Sequence, residues 1–179
     1  MIRHLFLDLE DTIIAPVMDG WPQTQTMNED KVRAIIDQYK PDQVHLFSFA
    51  VWNQFELRSF DLFTRPQVER TIGRTFDSTW TVDDHIIPMC CKQLGLQTEG
   101  VDFSEMTNFW SKHQAFRLCM MQKFAKSFDT WGHENEVLLL DDVVMNETFH
   151  WPDLHVRGQI ANIDNLPEPF HALNRPSHA

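Results

Sequence analysis

The sequence predicts an α/β fold, a doubly wound and mostly parallel sheet in a three-layer α/β/α arrangement. Three short runs with apolar centres, Ile2 to Leu9, Val44 to Ala50 and Val137 to Leu140, have the length of strands buried on both faces. A segment of helical periodicity lies between the first two, so the strands it joins should run parallel with a right-handed crossover. Each run also stops at residues with chemical use, namely Asp8, Ser48 and the pair Asp141–Asp142. In open α/β sheets, ligands bind at the carboxyl ends of the strands.

The elements follow in order. After Asp8 a polar stretch with Pro16, Gly20 and Pro22 reads as a loop or short flap. Asn28 offers a helix N-cap, and Val32, Ile35, Ile36 and Tyr39 then recur at helical spacing until Pro41 stops the helix. Beyond Ser48, helices are predicted over 53–63 and 66–73, a strand over 76–82, and a helix from Asp84 to about Gly95. Ser104 to Phe128 is the longest helical candidate, with a break near Trp110–Ser111 where Ser111 caps a helix opening at Lys112. His155 to Ile163 supplies a last strand. Residues 1–166 form one domain with room for a small helical insertion within 53–111, and the Pro-containing stretch 167–179 is a loose tail.

Composition narrows the function classes. The 179 residues are 42% hydrophobic and 23% charged, as in a folded soluble domain with a substantial core. A formal net charge of −11 and a pI near 5.1 disfavour generic binding to nucleic acid or anionic membranes. Cys90, Cys91 and Cys119 form no CxxC pair and read as reduced core residues, which suggests a cytoplasmic compartment. Charge interrupts the opening stretch, so no signal peptide is expected, and no apolar run approaches the ~20 residues of a membrane span. His113, His133 and His150 show no metal-ligand spacing. Trp52, Phe55, Phe60, Phe63, Trp110, Phe116 and Phe124 read as helix-packing surface.

If the three strands are neighbours, their terminal residues converge in one crevice, with Lys112 opening a nearby helix. A single acid after a strand means little, but three such ends with a lysine opening the preceding helix mark a candidate site.

In residue order the chain resembles the haloacid dehalogenase-like hydrolase superfamily. The matching stretches are Leu5-Phe6-Leu7-Asp8-Leu9-Glu10-Asp11-Thr12, then Val44-His45-Leu46-Phe47-Ser48, then Lys112, then Val137-Leu138-Leu139-Leu140-Asp141-Asp142. The resemblance covers the chain to about residue 147 and implies that family's Rossmannoid sheet. It implies a magnesium-dependent phosphatase that hydrolyses a phosphate monoester through an aspartyl-phosphate on Asp8, with Glu10 as general acid and base. Thr12, Ser48 and Lys112 would bind the phosphate. The magnesium would be held by Asp8, Glu10 through its carbonyl, Asp142 and Asp141 beside it.

Some positions depart from the family pattern. Glu10 stands where the phosphatase pattern has Asp, so its carboxyl sits one methylene further out. Asp11 stands where many members have Gly, and Asn146 with Glu147 replaces the usual downstream acid. Lys123 and Lys126 compete with Lys112 for the lysine role, and Lys112 is preferred because it opens a helix. These departures motivate a second reading, a fold of the same kind that binds a phosphorylated ligand or a protein partner without turnover. A third reading is phosphoryl transfer to an acceptor other than water.

Forty positions separate Asp8 from Ser48 and 64 separate Ser48 from Lys112, too few for a large cap. An open site admits large phosphorylated substrates, or lets oligomerisation supply the cover. The acidic charge favours a small molecule or nucleotide over nucleic acid or phosphoprotein.

Overall fold

Strand β1, Ile2–Leu7, lies at the middle of the sheet because its side chains are buried on both faces. Leu5 and Leu7 enter one core and Phe6 the other. The same alternation divides strand β4, Asn135–Asp141, whose Leu138 and Leu140 face the first core while Val137 and Leu139 face the second. The structure is a computed structural model that describes residues 1–15, 25–99, 111–125 and 133–167.

Six strands form one sheet. Besides β1 and β4 these are β2 (Gln43–Phe47), β3 (Ser78–Trp80), β5 (Glu147–Trp151) and β6 (Val156–Asn162), in the order β3-β2-β1-β4-β6-β5. All neighbours run parallel except β5, which pairs antiparallel with β6. Helix α1 (Glu29–Tyr39) packs its Val32, Ile35, Ile36 and Tyr39 on the first face, as its periodicity predicts. Helix α3 (Arg65–Ile72) joins it there, while α4 (Ile87–Gln93) and α5 (Lys112–Ala125) cover the second face. The sheet is thus covered on both sides, a Rossmann-like α/β architecture.

Asn28 does not cap α1 through its side chain, contrary to expectation. It sits in the left-handed region at φ 54°, and its amide donates instead to the Thr12 carbonyl at 3.1 Å. The helices expected over 53–63 and 66–73 join into one run. Asn53 caps α2 (Gln54–Ser59) by accepting from the Phe55 and Glu56 amides, and a π-helical turn, Phe60–Thr64, leads into α3. A second π-helical turn, Val82–Ile86, leads into α4. Each widened turn precedes a proline, Pro66 or Pro88, that lacks an amide donor and crowds the carbonyl four residues back. Widening there lets the helix continue.

Helix α5 begins at Lys112 behind Ser111. The Ser111 hydroxyl accepts from the Gln114 amide at 3.2 Å, and the Gln114 side chain accepts from the Ser111 amide at 3.4 Å. This reciprocal cap fixes the helix start. The rest of the predicted 104–128 segment, with Trp110 and Lys126, lies outside the described residues. So do the predicted flap residues Pro16, Gly20 and Pro22 and the end of the tail. Within 53–111, where the sequence leaves room for a small helical insertion, residues 54–93 hold α2 to α4 and β3.

Strand β5 is not among the elements the sequence predicts. Only Phe149 of its five residues is buried, so neither an apolar run nor a strong alternation marks it. Gly158 on β6 faces it because a Cβ there would meet the Phe149 ring at 2.3 Å and the Val137 carbonyl at 2.8 Å. Gly158→Ala should cost about 1–3 kcal/mol through overpacking. A urea melt with an unchanged midpoint would show that the ring moves away freely.

The second face also carries a buried polar ladder across four strands. The Trp80 indole, which can only donate, lies 3.2 Å from the Ser78 hydroxyl oxygen. Ser78 is then free to donate to His45 Nδ1 at 2.6 Å. That leaves His45 Nε2–H to donate to His4 Nδ1 at 3.3 Å, and His4 Nε2–H to donate to Asn135 Oδ1 at 3.0 Å. The chain of donors fits two neutral imidazoles. Burial lowers the pKa of both rings and, with the His4 and Lys123 charges, takes His45 down to about 3.

Candidate active site

Register brings the site together. Leu7 pairs with Leu46 on β2 and with Leu140 on β4, so the residues that follow emerge side by side at the carboxyl edge. The Asp8 amide continues the ladder by donating to the Leu140 carbonyl at 3.0 Å. A slip of one residue on any of these strands would turn the acids to the other face.

Carboxylate oxygens of Asp8, Asp141 and Asp142 lie within 4.8 Å of one another. No other comparable group of acids, histidines or cysteines occurs among the described residues. Lys112 reaches them from the first turn of α5. Its ammonium pairs with Asp8 Oδ1 and lies 2.6 Å from Asp141 Oδ2. Burial alone would lower the lysine pKa, but the Asp8 and Asp141 charges outweigh it and hold the ammonium above its ordinary value. Lys123 lies eleven residues on, about 16 Å along the helix, with its ammonium 5.7 Å from the centre of the Phe124 ring.

A cleft of about 450 Å³ opens onto this cluster, and Asp8, Glu10, Ser48, Lys112 and Asp142 are in its lining. Ser48 is buried at the end of β2, and its hydroxyl oxygen accepts from the Ala50 amide at 3.1 Å. Asp141 is fully buried behind Lys112, and its Oδ1 accepts from the Val143 amide at 2.9 Å. Asp142 is the acid of the pair that faces the cleft. Its pKa is pushed up to about 7, first by burial and then by the Asp8 and Asp141 charges. Burial and Asp8 likewise raise Asp141, against the opposing pull of Lys112.

Thr12, expected at the phosphate, is placed elsewhere. It is fully buried and does not line the cleft; its hydroxyl donates to Asp8 Oδ2 at 3.2 Å. It therefore orients the Asp8 carboxylate, whose two oxygens are divided between Thr12 and Lys112. The loop that carries Thr12 is a single tight turn in which the Ile13 and Ile14 amides both donate to the Leu9 carbonyl. Asp11 adopts φ 57° there, a conformation glycine takes most readily and aspartate tolerates.

Neither residue weighed as a downstream metal support lines the cleft. Glu147 turns its carboxylate to His113 and Arg117 on α5. Asn146 donates to the Asn165 carbonyl and accepts from the Asn162 amide, both at 2.7 Å. Phe49, Ala50 and Val143 line the cleft although the sequence reading did not select them. Their only signal was position, directly after Ser48 and Asp142.

The donor set suits a hard divalent cation. Three carboxylates meet one ammonium, and oxygen ligands with room for water are what magnesium takes. No family model matches the chain, and neither curated proteins nor solved structures give a match.

Proposed function

We propose that the protein is a magnesium-dependent phosphatase of the haloacid dehalogenase-like kind. The observation that carries this reading is the meeting of Asp8, Lys112 and the Asp141–Asp142 pair at the carboxyl ends of adjacent parallel strands.

Asp8, Asp142 and the Glu10 carbonyl would hold magnesium, with Asp141 behind them. The ion would supply charge neutralisation for the phosphoryl oxygens. Ser48 and Lys112 bind and orient the phosphoryl group, and Thr12 keeps the Asp8 carboxylate in line. An Asp8 oxygen attacks phosphorus, the ester P–O bond breaks, and the leaving oxygen takes a proton from Glu10. Glu10 then removes a proton from water, which attacks phosphorus, releases inorganic phosphate and restores Asp8.

Hydrolysis of an aryl phosphate with magnesium should stop with EDTA and fall roughly 10³-fold or more in Asp8→Asn. In the same assay Glu10→Asp reports whether the longer acid limits the rate. A folded, magnesium-supplied protein that binds phosphate esters but turns over none of a broad panel would favour the binding reading instead. Product partition to added alcohols would favour transfer to another acceptor.

A further inference from the structure

The helical run that follows β2 is apolar on two sides. It extends without a break from Gln54 through the π-helical turn to Ile72, about 28 Å of helix. Toward the sheet it presents Leu57, Phe60, Val68 and Ile72 to the first core. On the other side Phe55, Leu62 and Phe63 are 79%, 71% and 57% exposed. Their spacing is that of one helix face, which Pro66, also exposed, continues. A helix that serves a single core carries one apolar stripe, with polar residues opposite. One exposed aliphatic is ordinary. Two phenylalanines and a leucine together expose on the order of 400 Å², the scale at which a patch marks an interaction site.

The polar residues around this face decide what covers it. Arg58 and Asp61 lie on its border, both exposed. Arg58 forms no ion pair among the described residues, and Asp61 pairs along its own helix with Arg65 at 2.7 Å. Between the two aromatic ends stands Ser59, small enough for another helix to cross closely. A two-fold axis at its level makes the set complementary to itself. Phe55 and Phe63 lie four positions to either side of Ser59, so in an antiparallel pair each meets the other. Arg58 of each copy then comes level with Asp61 of the second copy, and the match occurs twice. An anionic membrane offers no such match to a chain of net charge −11. A specific interface buries about 800 Å² per partner. The stripe supplies its apolar centre, and Arg58 and Asp61 belong to its charged rim.

We propose that this face joins two copies of the chain, with their 54–72 helices antiparallel about a two-fold axis near Ser59. Phe55 packs against Phe63, and Arg58 pairs with Asp61, of the second copy. The pairing does not depend on the phosphatase reading.

Sedimentation velocity over a range of protein concentrations tests it. The mass should rise from 21.1 kDa toward twice that value, with a dissociation constant in the micromolar range, as befits a small interface. Leu62→Glu should weaken the pair about 100-fold, because a two-fold axis brings each substitution into the interface twice. Leu62 is exposed in the single chain, so this variant should keep the wild-type urea midpoint when both are dilute enough to be monomeric. Arg58→Glu and Asp61→Arg should each weaken the pair about tenfold. The two together should restore it to within a few-fold, which no pairing of other geometry through the same patch requires. A mass that stays at 21.1 kDa up to millimolar concentration overturns the proposal, whether the face then takes neutral lipid vesicles, another protein or nothing. A dimer that Leu62→Glu leaves intact overturns it too, as does one that the double variant fails to restore.

Discussion

Lys112→Met is expected to lower stability by about 3–5 kcal/mol at neutral pH, the usual cost of removing one partner from a buried ion pair. The ammonium is buried and pairs with Asp8 and Asp141, and Asp141 is itself fully buried. Methionine keeps the length and apolar stem of lysine, so loss of packing contributes little. The carboxylates are left facing one another without their cation. Magnesium should therefore stabilise the variant more than the wild type, since it supplies the missing charge by binding only the folded chain. Urea melts with and without magnesium measure both effects. A midpoint close to wild type would mean that the lysine does not carry the charge balance of the cluster.

The second large effect is a pH dependence set by the polar ladder. In an unfolded chain histidine titrates near 6.5, whereas folded His45 titrates at about 3. The unfolded state thus binds the proton first as pH falls. The stability contributed by neutral His45 is complete above about 6.5 and declines as pH drops toward the folded value. At pH 5 the loss from His45 is about 2 kcal/mol, and His4, also lowered, adds in the same direction.

Asp142 works oppositely. Its raised pKa lets the folded protein take up a proton below about 7, which adds stability as pH falls. The two contributions are separated by a variant that touches only the ladder. Relative to wild type, His45→Gln should gain about 2 kcal/mol between pH 7 and pH 5. A difference that stays constant over that range would mean His45 does not remain neutral in the folded protein.

How legible these features were depended on whether neighbours along the chain or across the sheet define them. Strands β1, β2 and β4 were legible because burial on both faces writes itself as an apolar run. Helix α1 was legible through its period, and the start of α5 through Ser111 as a cap ahead of Lys112. The chemistry at the strand ends was legible as Asp8, Ser48, Lys112 and the paired acids because each follows an element that announces itself. Strand β5 was not, since one buried phenylalanine among five residues is no pattern. The ladder was invisible for another reason. His4, His45, Ser78 and Asn135 look like polar interruptions of separate strands until parallel register sets them in a row. Direction was equally hidden at Thr12 and Asp141, where sequence placed the residue near the site but not the face its side chain takes.

Both margins of the sheet are meagre: three residues at β3 on one side, and on the other β5, where Thr148 and His150 are exposed. Such borders give an incoming polypeptide few backbone partners to copy. Self-assembly by adding strand to strand is therefore poorly templated among the described residues, and copies that associate have to recognise one another through side-chain shape. Exposed apolar side chains lie instead at Phe55, Leu62 and Phe63 on the helical run before α3, at Leu94 and Leu96 after α4, and at Val143 beside the cleft.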